Sequence, residues 1–210
     1  NKPDVSYNIG NPSKDVPWYS DPTPWWEKEY WITRIEQGKL QEKVEFSDGE
    51  HTISIYNFNE PLQEEQIREV SEALSVLASI SNGEALKTYD DILLTEEQPP
   101  DSPVLGPPNG YGMLASRHIV LYPNALRPIP HRVTNKVSNL KGTLVHEGTH
   151  NAVVERVADE WRQLGGWTFS DTREGLAEGT TKQYATTQPE RCVTTYAETN
   201  YDEDLCDSNV

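Results

Sequence analysis

The chain has 210 residues, a formal net charge of −16 at pH 7 and a pI near 4.6. Nucleic acid and anionic membrane surfaces would repel so acidic a protein, and neither is an expected partner. No apolar run approaches the roughly 18 residues of a membrane span, while the length suits one sizeable domain, with or without a subdomain.

Hydrophobic residues make up 35% of the chain, and 6 Trp and 10 Tyr against 3 Phe mean that much of the core must be aromatic. Residues 1–24 are rich in proline and poor in aliphatics, and read as an extended arm. Trp18, Tyr19, Trp25, Trp26, Tyr30 and Trp31 crowd this end. They either pack the arm onto the domain or bind a sugar or a partner. Tyr30 to Gln37 reads as a short helix ended by Gly38. Residues 43–46 and 52–56 flank Ser47-Asp48-Gly49-Glu50, and Val44/Phe46 and Ile53/Ile55 alternate with polar positions, which predicts a hairpin.

Pro61 opens a helix of about Leu62 to Ile80, with Ile67, Val70, Leu74, Leu77 and Ala78 on one face and Asn82-Gly83 at its end. Leu86 to Leu94 fits either helix or strand. Residues 98–110 read as a proline-glycine loop. Arg117 to Tyr122 reads as a strand bounded by Pro123. It is either a free edge, to which an extended peptide adds, or a strand buried inside the sheet.

The next stretch carries the chemistry. Val137, Leu140, Leu144, Val145, Ala152 and Val153 form an apolar stripe near helical spacing, which predicts a helix from about Asn135 to Ala158 with its start at Thr134. Within it, His146-Glu147-Gly148-Thr149-His150 reads HExxH. Residues four apart share a helix face, so the two imidazoles can converge on one ion. Zinc accepts such ligands in a tetrahedral site and, where catalytic, keeps one position open for water. Glu147 adjoins a ligand and can serve there as general base. The plain alternative is an amphipathic helix with two solvated histidines.

Cys192 and Cys206 are the only cysteines. They form either one disulfide, as suits an exported protein, or two buried thiols in a reducing compartment, and they lack metal-site spacing. The first residue is Asn1 rather than Met, so removal of a preceding segment is expected, and with the acidic surface this favours a secreted protein.

A catalytic zinc site needs a third protein ligand. The metzincin pattern would place a histidine at position 156, where Arg156 stands, and a glycine where Val153 stands; the single Met113 lies upstream, so no Met-turn follows. The aspartate-ligand class would place its ligand where Lys182 stands. A glutamate remains, with two candidates. Glu174, in Glu174-Gly175-Leu176-Ala177-Glu178, looks like the glutamate helix of thermolysin-like gluzincins. The run Tyr196-xx-Thr199-Asn200-xx-Glu203, followed by Asp204-Leu205-Cys206-Asp207, resembles the family of the anthrax lethal factor catalytic domain and the Pro-Pro endopeptidases. That family's corresponding run reads Glu-Asp-Phe-Ala-Glu.

The resemblance covers residues 146–150 and 196–207. It implies a zincin-like α+β fold with a small mixed sheet on the HExxH helix and a mainly helical C-terminal part. It implies a zinc-dependent endopeptidase acting on a peptide or protein substrate. Zn²⁺ would be held by His146, His150 and Glu203, with Glu147 as general base and Tyr196 facing the ion to hydrogen-bond the oxyanion. Residues 1–40 would be an arm with a short helix, and residues 41–210 the catalytic domain. The competing readings are a catalytically inactive, protease-like binding module and a thermolysin-like enzyme using Glu174. Oligomeric state and substrate preference are not legible.

Overall fold

The structure is a computed structural model that describes residues 25, 27–47, 51–80, 85–99, 101, 107–112, 117–131, 136–152, 154–169, 184–193 and 201–210, with backbone only at 151, 152, 154–156, 158, 169, 184, 185 and 201–203. Trp18, Tyr19, Trp26, Glu174, Lys182 and Tyr196 lie outside the described residues.

Helix α1 spans Lys28–Glu36. Gly38, at φ 72°, ends it: Lys39 N–H donates to Arg34 O and Gly38 N–H to Ile35 O, a left-handed cap in which glycine escapes the Cβ penalty. Strands β1 (Glu42–Ser47) and β2 (Thr52–Asn57) pair antiparallel, Val44 opposite Ile55 and Phe46 opposite Ile53, which is the hairpin that the alternation predicts. Helix α2 spans Glu64–Ile80 and starts two residues later than predicted, with Glu64 and Glu65 complementing the positive end of its dipole. The ambiguous stretch that follows holds both structures, a 3-10 turn at Ala85–Thr88 and then strand β3 at Asp91–Leu94.

Strands β4 (Gly110–Gly112) and β5 (His118–Leu121) complete a five-stranded mixed sheet of order β1-β2-β3-β5-β4. β2, β3 and β5 run parallel, and β4 returns antiparallel on β5. The Arg117–Tyr122 strand is therefore interior, and the edge belongs to β4. Both faces of β3 and β5 are covered, so they read as unbroken apolar runs rather than alternating ones.

On one face, Ile53, Ile55, Ile92, Leu94, Ile119 and Leu121 pack under Val70, Ala73, Leu74 and Leu77 of α2 and Leu140, Leu144 and Val145 of the next helix. On the other face, Leu93, Val120 and Tyr122 pack with Trp25, Trp31 and Phe58. Trp25 is 0% exposed and stacks edge-on to Tyr30 and Phe58, so in the described part of the aromatic cluster the rings pack the chain onto the sheet. Arg34 lies over the Trp25 and Tyr30 rings and pairs with Glu96.

Helix α3 spans Asn139–Ala152 and α4 spans Val154–Leu164. The start falls later than the predicted Thr134, which is outside the described residues, and Ser138 supplies the cap: its hydroxyl accepts the Lys141 N–H at 3.2 Å. Asn139 Nδ2 donates to Asn124 O at 2.8 Å, and Asn109 Nδ2 donates to Asn139 Oδ1 at 3.0 Å, which ties the head of α3 to the approach to β4. Two glycines let α3 sink into its neighbours. A methyl at Gly142 would overlap the His131 ring, and one at Gly148 would overlap Leu77 of α2. Beyond α4, β6 (Trp167–Phe169) and β7 (Tyr184–Thr186) form a two-stranded sheet, so the C-terminal part is less purely helical than expected. Helix α5 (Tyr201–Ser208) closes the chain against α3 and α4. The whole is α+β, and no helix among the described residues is long and apolar enough to cross a membrane.

Candidate metal centre

His146 and His150 stand one turn apart on α3, with ring centroids 5.0 Å from each other and planes at 80°. His146 is 5% exposed and His150 half-buried. Their placement follows from the helix period. Leu144 and Val145 turn into the core under the sheet, which leaves the histidine face towards α5.

Glu147 sits half-buried beside β4, and its Oε2 accepts the Gly112 N–H at 2.7 Å. The register explains the bond. Asn109 O accepts from Tyr122, so the alternation of an antiparallel pair turns Gly110 and Gly112 outward. A side chain at Gly112 would not fit, because its Cβ would lie 2.5 Å from the Glu147 carbonyl oxygen. Tyr89 reaches the same turn of the helix and donates its hydroxyl to Gly148 O. Burial, and then the Glu147 carboxylate, push the Tyr122 hydroxyl well above its ordinary range.

Helix α5 brings the second half of the centre. Asp207 Oδ1 lies 2.8 Å from His146 Nδ1, with side chains 0% and 6% exposed. The ligand atoms of His146, His150 and Cys206 all lie within 4.8 Å of one another. Cys206 is 0% exposed and Cys192 half-buried, and neither is in a disulfide, so the structure shows two thiols of which only Cys206 is buried. Asp204, on the same helix, accepts from Trp161 Nε1 of α4 at 2.9 Å and also hydrogen-bonds Trp167 and Cys192. Burial is the largest influence on its carboxyl and raises it.

Glu203 lies on the first turn of α5, one turn before Asp207, but its side chain is outside the described residues, as are Tyr196 and Glu174 entirely. The structure thus brings His146 and His150 together as the spacing predicts, sets the Glu147 carboxylate on Gly112 N–H, and adds two groups that the sequence reading did not assign to the site, Cys206 and Asp207. A signal for them existed: residues three and four beyond position 203 fall on the same helix face. Comparison with protein-family models finds no match, and comparison with curated proteins finds none.

The donor set suits a borderline-soft dication. It offers two imidazoles and a thiol at one point, with the Asp207 carboxylate engaging Nδ1 of His146.

Proposed function

We propose that this chain is a zinc-dependent endopeptidase of the zincin type, with His146, His150 and Glu203 as ligands of the metal and a peptide or protein as substrate. The observation that carries the reading is the pairing of two imidazoles on consecutive turns of α3 with the buried Asp207 carboxylate on His146 Nδ1. A carboxylate on Nδ1 fixes the tautomer that presents Nε2 as ligand and raises its basicity. The packing of α5 on α3 supports Glu203, because a ligand from position 203 needs that approach.

Zinc, when bound, would act as a Lewis acid on the scissile carbonyl and make its water acidic near neutral pH. The protein's own groups supply the rest. Glu147, anchored by Gly112 N–H, takes a proton from the attacking water and later delivers it to the leaving amine. Tyr196, where the resemblance places it, donates to the oxyanion. The outward edge of β4, apart from the Gly112 N–H that Glu147 holds, is where an extended peptide would add, the role that sequence allowed for the neighbouring strand.

The test is metal analysis of the purified chain, followed by a peptide-library digest with and without chelator. Stoichiometric zinc and chelator-sensitive cleavage are expected. Zinc binding with no cleavage of any peptide would replace this reading with the inactive binding module, and absence of zinc would remove the metal centre itself.

A further inference from the structure

We infer that Cys206 is a ligand of the metal at this centre, so that sulfur joins the two imidazoles around the ion. The inference rests on the metal reading above but not on the peptidase reading. Its first support is position: Cys206 Sγ lies within 4.8 Å of the ligand nitrogens of both His146 and His150, and those nitrogens lie within the same distance of each other. Zinc bonds of about 2.0 Å to nitrogen and 2.3 Å to sulfur set tetrahedral neighbours about 3.3 to 3.6 Å apart, so contraction by at most about 1.2 to 1.5 Å closes the site.

The second support is independent. Asp207, the next residue on α5, is hydrogen-bonded to His146 Nδ1 at 2.8 Å, the outer partner that metal-ligating histidines use. One helix turn therefore delivers both the thiol and the orienting carboxylate to the same imidazole. Asp204, bonded to Trp161 of α4, helps to hold that turn in place. A small apolar residue at position 206 would fill the core equally well. The sulfur adds a donor that selects zinc, cobalt or cadmium over magnesium and manganese. On coordination the thiol releases its proton to solvent and binds as thiolate.

A sulfur ligand also changes what the centre does. If Cys206 and Glu203 bind together with the two histidines, four protein groups close the tetrahedron and solvent enters only as the sulfur leaves. Metal occupancy then depends on the state of one thiol.

X-ray absorption at the zinc edge of the wild-type chain tests this without relying on a variant that must fold. A sulfur scatterer near 2.3 Å beside nitrogen and oxygen near 2.0–2.1 Å is expected. The same shell should persist in Cys192→Ala and disappear in Cys206→Ala. The cobalt-loaded wild type should show a thiolate charge-transfer band that Cys206→Ala lacks. A nitrogen–oxygen shell alone, or loss of sulfur with Cys192→Ala, overturns the assignment while leaving the metal centre standing. Failure of the wild type to take up zinc or cobalt overturns the metal centre and this inference together.

Discussion

The Asp207 carboxylate and the His146 ring meet at 2.8 Å in the protein interior, although 61 positions separate them in the chain. Neither side chain is more than 6% exposed. This pair joins α5 to α3, and the proposed centre depends on it. Asp207→Asn should keep the fold and lower zinc affinity by about 10- to 100-fold, the usual range for removing such a partner. Competition against a chelator of known affinity measures it, and an unchanged affinity would show that the pair is structural only.

Glu147→Gln should retain zinc and lose about 10²- to 10⁴-fold in peptide hydrolysis, because the amide still accepts the Gly112 N–H but cannot take a proton. Metal content and cleavage rate are measured on the same preparation. A variant that cleaves at the wild-type rate excludes Glu147 as the base.

The third carboxylate is settled by two variants side by side. Glu203→Ala should weaken zinc binding, leaving at most the two imidazoles and the Cys206 thiol to hold the ion, while Glu174→Ala should leave the affinity unchanged. The reverse result assigns the ligand to Glu174 and makes the centre thermolysin-like.

Gly112→Ala forces a methyl against the Glu147 carbonyl, so β4 must lift from α3. Overpacking of this kind destabilises by about 1–3 kcal/mol. Denaturant unfolding reads the stability, and an unchanged midpoint would mean that β4 approaches α3 less closely than described.

Two adjacent acids at the start of β3 respond to pH in opposite directions. The Arg117 guanidinium beside Asp90 holds its carboxyl below the usual range, whereas burial raises that of Asp91. A raised carboxyl binds its proton more tightly in the folded state, so its contribution to stability is greatest at low pH. That contribution falls as pH rises from about 3.9 through the raised value. Asp91→Asn should therefore be more stable than wild type at neutral pH, and the gap should vanish in acid. Thermal unfolding across pH checks this; a gap that persists in acid would trace the gain to packing instead.

Much of the frame could be read from local pattern. Alternation at Val44, Phe46, Ile53 and Ile55 gives the hairpin with its register, and the stripe from Val70 to Leu77 gives α2. Gly38 marks the end of α1. β4 was missed because Gly110-Tyr111-Gly112 has no apolar alternation; its strand character comes from pairing with β5. The interior place of β5 was left open for the same reason, since strand order is a long-range property. At the centre, the helical period fixes His146 and His150, but the arrival of Cys206 depends on how α5 docks. Spacing alone sets the two cysteines against each other as a pair, whereas the structure leaves both out of a disulfide and brings Cys206 within 4.8 Å of both imidazoles.

The missing side chains at Gly142 and Gly148 act as a pair of notches. His131 fits one and Leu77 the other, six residues apart along the same helix. A shaft keyed at two points can neither slide nor rotate about its long axis. The azimuth of the histidine face is therefore set by steric fit, and the proposed ion would meet rings that are already aimed.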